Sequence, residues 1–481
     1  MIPLSLGEIA RITGARPDGV ADPGDLVFGP VVIDSRRAGP GGLFAAVAGE
    51  RVDGHDFAAA AAQAGAVAVL ATRPTGTPAL IVDNVPAALA RLARAVVSRL
   101  PQVTIAGITG SSGKTSTKDL TAQLVERLGP TVAPEGSYNN EFGFPLTVLR
   151  ADERTRYMVL ELAARGAGHI ASLCEIAPPR IGAVLNVGHA HTGEFGGIEE
   201  VARAKGELAE ALPAGGVAVL NADDPRVAAM AGRTAARVVT FGLGEAGGAG
   251  DGRRPDGRVP DVSATDVRLD DLGRPAFTLV TAAGSAPVRL ALHGAHNVPN
   301  ALAAAAITAE LGLGVAEIAD GLSAATARSR WRMEVGQNPD GVTVINDAYN
   351  ANPESVRAAL DALRHMARGR RSFAVLGHMA ELGEESRASH EAAGAQAAGT
   401  GVAGLIVVGK EAEPILAGAL ASSGWHGEAI GVPDGPGALA ALHSRLAPGD
   451  VVLVKASRAA ALESVAAELL SQRTPVKEKA Q

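Results

Sequence analysis

A glycine-rich turn that carries a lysine and several hydroxyl groups is the first place in this sequence where chemistry is indicated. It follows the apolar run 103–108 and reads Gly107-Ile-Thr-Gly110-Ser111-Ser112-Gly113-Lys114-Thr115-Ser116. Such a turn lets backbone N–H groups converge on phosphate oxygens at a helix N-terminus, whose dipole favours negative charge. Lys114 can then reach the β and γ phosphates, and Thr115 can offer its hydroxyl to Mg²⁺. The sequence therefore predicts a site for ATP or GTP, although Ile108 breaks the strict Gly-x₄-Gly-Lys-[Ser/Thr] spacing.

A lysine on an apolar helical stripe is the second candidate. Residues 198–212 have helical periodicity, with apolar residues at the spacing of one helix face: Ile198, Val201, Leu208 and Leu212. Lys205 falls on the same face, and a buried ammonium is costly unless it is paired or neutral. Two interpretations stay open. Lys205 extends its charged end to water, or it is a neutral amine that reacts with CO₂ to give a carbamate facing a metal.

The other face of this helix is charged. Glu199, Arg203 and Glu207 follow one another at four-residue spacing. Opposite charges at this spacing are neighbours on a helix surface. The pattern predicts a ladder of solvent-exposed ion pairs.

Two further polar residues stand at the ends of apolar runs. Glu161 ends the run 157–162, where P-loop enzymes place an acid that directs magnesium, and a solvated carboxylate is the alternative. His191 follows the run 181–187, at the strand end where open α/β sheets bind ligands. A cation ligand and a hydrogen-bonded structural histidine both remain open for His191.

Short apolar runs alternate with helical patterns along almost the whole chain, which is typical of parallel sheets covered by helices. The break at Leu100-Pro101 and the change of pattern near Arg330 divide it into three α/β domains: 1–100, 101–328 and 329–481. We expect a small N-terminal domain, a central P-loop parallel sheet and a C-terminal Rossmann-like domain. Residues 243–260 are rich in Gly, Arg, Asp and Pro and are predicted to be a loop insertion.

Composition excludes several classes of protein. The net charge is −7, from 44 basic and 51 acidic residues, and no Lys/Arg-dense stretch supports nucleic-acid binding. Hydrophobic residues make up 47% of the chain, which excludes disorder over most of its length. One cysteine excludes a disulfide framework. With neither a signal segment nor a membrane-spanning run, we expect a cytoplasmic protein, and a monomer.

These motifs together resemble the Mur ligase family, in the same order and over almost the whole chain. Asp34-Ser35-Arg36 is similar to part of the family's N-terminal uridine-nucleotide domain, and the phosphate loop matches the family's own spacing. Tyr138-Asn139-Asn140-Glu141 is similar to the stretch that meets substrate and phosphate. Ala204-Lys205-Gly206-Glu207 matches the motif whose lysine is carbamylated, and Glu161 and His191 fall on magnesium positions.

The resemblance continues through the C-terminal third. His296-Asn297-Val-Pro-Asn300 is similar to the adenine-side motif, and Arg332 aligns with an arginine that reaches the nucleotide. Asp347-Ala-Tyr349-Asn350-Ala-Asn352-Pro353 matches the variant found in members that add a dipeptide. Asn352 and Pro353 also suit the start of a helix on their own account. Lys455-Ala-Ser457 completes the set, and His378 stands where an Asp is common.

The resemblance implies an ATP-dependent amide ligase that adds D-alanyl-D-alanine to a UDP-N-acetylmuramoyl tripeptide through an acyl phosphate. ATP, two Mg²⁺ ions and a carbamate on Lys205 are the implied cofactors.

The implied nucleotide contacts are Gly110–Ser116, His296, Asn297, Asn300, Arg332 and Asp347. The implied substrate contacts are Ser35, Arg36, Asn139, Asn140, Tyr349, Asn350, Asn352, Lys455 and Ser457. The implied metal ligands are Thr115, Glu161, His191 and Lys205, and the implied catalytic groups are Lys114, Lys205, His191 and Arg332. A ligase for a single amino acid and a P-loop ATPase without ligase activity are the alternatives.

Overall fold

The computed structural model describes residues 1–49, 52–189, 192–243 and 259–471. Most of the predicted insertion at 243–260, and His191, lie outside these ranges. Within them the strands form one two-stranded pair and three larger sheets, which follow one another along the chain. None of the helices described is long and apolar enough to cross a membrane.

The first sheet lies within residues 16–81 and has five described strands in the order β2-β7-β6-β5-β4. The strands up to this point are β1 Leu4–Ser5, β2 Arg16–Asp18, β3 Leu26–Val27, β4 Val31–Val32, β5 Gly42–Ala45, β6 Ala66–Ala71 and β7 Ala79–Ile81. The helices are α1 Leu6–Thr13, α2 Ala58–Gln63 and α3 Val85–Ser98, with 3₁₀ turns at Ser35–Arg37 and Gly54–Phe57. Strands β4 to β7 are parallel, and β2 is antiparallel to β7.

The central sheet has nine strands in the described ranges, in the order β16-β15-β14-β13-β12-β11-β8-β10-β9. Its strands are β8 Thr104–Thr109, β9 Thr131–Val132, β10 Tyr157–Glu161, β11 Ile181–Val184, β12 Val217–Asn221, β13 Arg237–Leu243, β14 Val262–Leu269, β15 Pro275–Thr281 and β16 Gly284–Arg289. Its helices are α4 Lys114–Val125, α5 Gly143–Val148, α6 His169–Ile176, α7 Thr192–Phe195, α8 Ile198–Glu210, α9 Pro225–Ala228, α10 Asn297–Glu310 and α11 Val315–Ala324, with a 3₁₀ turn at Ala229–Arg233. Strand β8 lies between β10 and β11 and pairs with both. The connections on its two sides run in opposite directions, which leaves a crevice at its carboxyl end.

The third sheet has the order β17-β18-β22-β19-β20-β21 in the part of the chain that is described. Its strands are β17 Glu334–Gln337, β18 Thr343–Asn346, β19 Ser372–Gly377, β20 Gly404–Val408, β21 Glu428–Val432 and β22 Val451–Lys455. Its helices are α12 Pro353–Met366, α13 Ser386–Gly399, α14 Pro414–Leu420, α15 Gly435–His443 and α16 Glu463–Ser471, with 3₁₀ turns at Gly383–Glu385, Lys410–Ala412 and Arg458–Ala460. All pairs are parallel except β17 with β18.

The α/β fold class predicted from the sequence is confirmed, with one addition. Strands β15 and β16 extend the central sheet through antiparallel pairs, beyond its parallel part. The buried helix α10 packs against α4, and its alanines 301, 303, 304, 305 and 306 are fully buried. A helix that is apolar all round belongs in a core. Its first turn is thereby fixed beside the N-terminus of α4, where the phosphate loop ends.

Candidate active site

The predicted phosphate loop joins β8 to α4 at the carboxyl end of the central sheet. Gly113 precedes the helix with φ of +81°, a conformation that favours glycine. A Cβ on Gly113 would lie 2.3 Å from Oδ1 of Asn300, so a larger residue would also clash with α10. Nζ of Lys114 donates to the carbonyl of Gly110 at 2.6 Å. The loop thus has the strand, turn and helix that a phosphate cradle requires.

Hydrogen bonds from the segment after β11, which the sequence analysis did not predict, hold this loop in place. Oδ1 of Asn186 accepts from the backbone N–H of Ser112 at 2.9 Å, and its Nδ2 donates to the carbonyl of Ser112 at 3.1 Å. The Oγ of Ser111 accepts from the N–H of Gly188 at 2.8 Å and donates to its carbonyl at 3.1 Å. The segment after β11 therefore fixes the loop from behind. A polar residue just past a buried strand is the sequence signal that could have found Asn186.

A buried acid lies beside the first turn of α4. Glu161, at the end of β10, is only 2% exposed. Its Oε2 accepts from Oγ1 of Thr115 at 2.9 Å, and its Oε1 accepts from Nδ2 of Asn139 at 2.6 Å. The solvated carboxylate that the sequence allowed as an alternative is therefore wrong. The hydroxyl and carboxylate oxygens gathered here are ligands that suit Mg²⁺ together with phosphate oxygens.

An arginine of the third sheet's unit reaches this cluster. Arg332 donates through a terminal nitrogen to Oγ of Ser137 at 2.8 Å, and Ser137 lies 2.8 Å from Oγ1 of Thr115. Its guanidinium carbon stacks 4.1 Å from the ring centre of Tyr349. The predicted residues Arg332, Thr115 and Tyr349 are thus brought together from two units of the chain.

Two lysines have lowered pKa values, Lys114 of the loop and the buried Lys205. Burial lowers the pKa of Lys114, and Arg332 lowers it further against the raising effect of Glu161. Burial lowers the pKa of Lys205 well below its ordinary value, and the charge of Lys114 lowers it further. Lys205 is 2% exposed, and no described residue forms a hydrogen bond or ion pair with its Nζ. The amine does not extend to solvent, so its neutral form is favoured.

The predicted ion-pair ladder along α8 is wrong. Arg203 pairs with Glu200 instead, at 2.7 Å, and Glu199 pairs with Arg226. The two carboxylate oxygens of Glu207 accept from the N–H groups of Gly168 at 2.6 Å and Ala171 at 3.0 Å. Glu207 therefore caps the start of α6, because unpaired N–H groups there attract an acid.

Gly206 gives room for an arginine next to Lys205. The guanidinium of Arg233 donates to the carbonyls of Ala202 and Arg203, at 3.3 and 2.8 Å, and to Glu210 at 2.9 Å. A Cβ on Gly206 would lie 2.0 Å from a nitrogen of this guanidinium. The arginine thus crosses α8 where a side chain at 206 would stand.

We expect Gly206→Ala to lower the free energy of unfolding by up to about 2 kcal/mol, because displacing Arg233 from its hydrogen bonds costs about 1–3 kcal/mol and alanine inside a helix regains about 1 kcal/mol over glycine. Chemical denaturation measures the change. In the double variant Gly206→Ala/Arg233→Ala the methyl group meets no guanidinium, so adding Gly206→Ala to Arg233→Ala is expected to cost much less. Equal costs in both backgrounds would contradict the steric account.

The predicted adenine-side residues surround the start of α10. Nδ2 of Asn300 donates to Oδ1 of Asn297 at 3.1 Å, and Nδ2 of Asn297 donates to the carbonyl of His293 at 2.8 Å. Burial lowers the pKa of His296, with Asp347 acting in the opposite direction. Its Nδ1 is buried, and no described residue pairs with it. A neutral ring with an unpaired nitrogen is suited to a ligand hydrogen bond.

Asp347 and Lys455 form a buried pair at the carboxyl ends of β18 and β22. Nζ of Lys455 donates to Oδ2 of Asp347 at 2.5 Å and to the carbonyl of Asn350 at 2.9 Å. Oδ1 of Asp347 accepts from the N–H of Met333 at 3.1 Å. Lys455 therefore fixes the loop that carries Tyr349 and Asn350, both of which line the cavity described below.

Three predicted substrate residues have structural partners. Oδ1 of Asn352 accepts from the N–H of Ser355 at 2.8 Å, as expected of a cap before Pro353. Oδ1 of Asn140 accepts from the N–H of Gly143 at 2.9 Å. The Oγ of Ser457 accepts from the N–H of Ala380 at 2.9 Å. Each side chain also lines the cavity.

One cavity of about 2270 Å³ contains most of the predicted residues. It is lined by the phosphate loop, Glu161, the start of α10, Arg332, the Asp347–Asn352 loop and Lys455. Ser35 and Arg36 do not line it; Arg36 is exposed and pairs with Asp34 at 2.7 Å. Lys205 is buried and is not among the lining residues, and His191 is outside the described residues.

A glycine loop, lysine and threonine at the carboxyl edge of a parallel sheet, facing a second α/β unit across a cavity, define a P-loop nucleotide-binding protein. The chain belongs to the Mur ligase family: its middle domain family matches residues 108–308, its glutamate ligase domain family residues 331–458, and its catalytic domain family residues 29–107.

Individual relatives are similar over nearly their full length. The UDP-N-acetylmuramoyl-tripeptide–D-alanyl-D-alanine ligase of Mycobacterium bovis is 50% identical, over 98% of this chain and 99% of the relative. The enzyme of that name from Escherichia coli K12 is 35% identical, over 98% and 100%. The crystal structure of MurF from Acinetobacter baumannii superposes with a TM-score of 0.82 at 30% identity, covering 97% and 99%. MurF ligase of Thermotoga maritima in complex with ADP gives 0.75 at 30% identity, covering 92% and 96%.

Proposed function

We propose that this protein joins D-alanyl-D-alanine to a UDP-N-acetylmuramoyl tripeptide at the expense of ATP, in the cytoplasmic stage of peptidoglycan synthesis. The observation that carries the proposal is the convergence of the phosphate loop, Glu161 and Arg332 on the same cavity as the Asp347–Asn352 loop. The name shared by the relatives from Mycobacterium and Escherichia coli supports the choice of substrates.

The reaction needs an activated acyl group, because a carboxylate oxygen is a poor leaving group. The terminal carboxylate of the tripeptide attacks the γ-phosphorus of ATP, and ADP leaves with the electrons of the broken P–O bond. The dipeptide ammonium gives one proton to water, the resulting amine attacks the acyl carbon, and the nitrogen gives a second proton to water as the amide forms. Phosphate then leaves through a tetrahedral intermediate and takes one former carboxylate oxygen with it.

Charge neutralisation is the main task of the protein, since two anions must meet. Lys114 is released from the Gly110 carbonyl to reach the β and γ phosphates, and Arg332 approaches the γ-phosphate from the other unit. ATP is contacted from both the central and the C-terminal unit, so the cavity between them has to close before phosphoryl transfer. Closure also excludes water from the acyl phosphate.

Two Mg²⁺ ions are proposed, held by Thr115, Glu161, His191 and Lys205 together with phosphate oxygens. The oxygen donors Thr115 and Glu161 already lie 2.9 Å apart and suit a hard cation. Mg²⁺ supplies positive charge against the phosphates when it is bound. Lys205 enters as a carbamate: its neutral amine adds CO₂ and releases a proton, giving an anionic oxygen ligand that arginine cannot provide.

The remaining predicted residues are assigned by position. His296, Asn297, Asn300 and Asp347 are proposed to contact the nucleoside. Tyr349, Asn350, Asn352, Lys455 and Ser457 are proposed to form the substrate side of the third unit, with Asn139 and Asn140 opposite them. Ser35 and Arg36, away from the cavity lining, are proposed to meet the uridine nucleotide. We also propose domain limits of 1–100, 101–328 and 329–481, and a monomer.

The acceptor requirement tests this function. Phosphate release is measured with ATP, Mg²⁺ and a UDP-N-acetylmuramoyl tripeptide, with D-alanyl-D-alanine or single amino acids as acceptor. We expect phosphate release with the dipeptide to be at least about 100-fold faster than with any single amino acid. A single amino acid lacks the second residue, so the polar groups of the site that bind that residue are left without partners. Phosphate release that is indifferent to the dipeptide would reject the proposal in favour of a P-loop ATPase, and preference for one amino acid would favour another ligase.

A further inference from the structure

Glu354 has no part in the mechanism above, yet it lies at the wall of the same cavity. It is the second residue of α12 and directly follows Asn352-Pro353. Its carboxylate crosses to the central unit, where Oε1 accepts from the backbone N–H of His189 at 2.9 Å and lies 2.8 Å from the ring Nδ1 of His189.

The position of this carboxylate is tightly defined by Gly188. A Cβ on Gly188 would lie 2.7 Å from Cδ of Glu354, so glycine is needed for the carboxylate to approach the backbone. The N–H and carbonyl of Gly188 are both bonded to Oγ of Ser111 in the phosphate loop. Residues 188–189 therefore connect Glu354 to the phosphate loop through hydrogen bonds.

The second oxygen of Glu354 is the unusual feature. Oε2 is buried, and no described residue donates a hydrogen bond to it. A buried carboxylate oxygen without a donor is costly, so a donor from a ligand is the natural complement. Since Oε1 is already held by His189, one oxygen of fixed direction is left for that ligand.

An ammonium group fits this oxygen better than a metal ion does. Among the described residues, no group of three or more His, Cys, Asp or Glu side chains that could hold a metal ion surrounds Glu354, so a metal ion here would take most of its ligands from water or phosphate. The carbonyl of Gly188 beside it is engaged by Ser111. An ammonium needs no such cage, because one charge-assisted hydrogen bond to a carboxylate already orients it.

On the basis of the proposed function, we propose that Glu354 binds the terminal ammonium of the incoming dipeptide and orients it toward the acyl phosphate on the phosphate loop. The carboxylate holds the acceptor before its proton is lost. Glu354 thus selects acceptors that carry a free α-amino group and holds that group next to the phosphate loop.

The test compares the unsubstituted protein with Glu354→Gln, whose side-chain oxygen can still accept from His189 but carries no charge. We expect the KM for D-alanyl-D-alanine to rise by about 10- to 100-fold, the loss of one charge-assisted hydrogen bond. The KM values for ATP and tripeptide are expected to stay within about twofold. Glu411→Gln, which neutralises an exposed acid outside the cavity lining, serves as the matched control.

A blocked acceptor separates the ammonium from the rest of the dipeptide. N-acetyl-D-alanyl-D-alanine has no ammonium, so as an inhibitor it is expected to bind the unsubstituted protein and Glu354→Gln equally. Glu354→Asp keeps the charge and is expected to give a dipeptide KM between those two. If Glu354→Gln does not fold, Glu354→Asp is compared with the unsubstituted protein using both the free and the blocked dipeptide. If the blocked dipeptide inhibits Glu354→Asp more weakly than it inhibits the unsubstituted protein, the inference is overturned.

Other outcomes also overturn it. An unchanged dipeptide KM in Glu354→Gln, with turnover still dependent on the dipeptide, rejects this inference alone. A raised Mg²⁺ requirement with an unchanged dipeptide KM assigns Glu354 to a metal. An equal rise in all three KM values assigns it to docking of the two units. Turnover of the unsubstituted protein that ignores the dipeptide rejects the proposed function as well.

Discussion

Lys114→Met is expected to lower kcat by about 10³-fold, equivalent to about 4 kcal/mol of transition-state stabilisation. Lys114 is the cation at the start of α4, and the attacking carboxylate and the γ-phosphate are both negative. Methionine keeps most of the length and apolar body of the side chain and removes the charge together with the N–H donors. Steady-state phosphate release with saturating substrates measures the effect, and folding is checked by the thermal transition.

The matched control is Lys410→Met, which removes an exposed lysine of a 3₁₀ turn outside the cavity lining. It is expected to leave kcat unchanged. A Lys114→Met protein with near-native kcat would contradict the assignment of this lysine to the transferred phosphoryl group.

Lys205→Ala is expected to lower activity by at least about 100-fold, because it removes the amine that becomes a metal-facing carboxylate. A short carboxylic acid such as formate is expected to restore part of the activity by occupying the space of the carbamate. Since burial lowers the pKa of Lys205, its neutral amine is more available to CO₂ than the amine of an exposed lysine.

A readout independent of activity accompanies this variant. With ¹³CO₂, the unsubstituted protein is expected to show a carbamate carbon signal that is absent from Lys205→Ala and present in Lys410→Ala. Full activity of Lys205→Ala, or no carbamate signal in the unsubstituted protein, would refute the modified lysine.

Local sequence patterns predicted the parts of the site that are fixed by a single element. The strand, glycines and Lys114 predicted the loop. The helical stripe placed Lys205 on the apolar face and left its burial open, and the structure shows the side chain 2% exposed. Asn352 also caps α12 as its type and position before proline indicated. In each case the controlling contacts lie within a few residues of one another.

Contacts between distant segments decided what the sequence could not. Glu207 was predicted to pair along α8, but α6 presents unpaired N–H groups that compete for it, 39 and 36 residues away in sequence. Asn186 braces Ser112 across 74 residues, and Glu354 reaches His189 across 165. The residue pattern of a single helix or strand does not indicate which distant segment it will contact, so these pairings could not be predicted from it.

The proposed reaction begins when the tripeptide carboxylate attacks the γ-phosphorus of ATP. It is tested most directly with a UDP-N-acetylmuramoyl tripeptide whose terminal carboxylate carries ¹⁸O in both oxygens. Turnover with D-alanyl-D-alanine is followed by mass spectrometry of the released phosphate. We expect one ¹⁸O atom in each phosphate formed, whereas unlabelled phosphate, with both labelled oxygens left on the tripeptide, would rule out this attack.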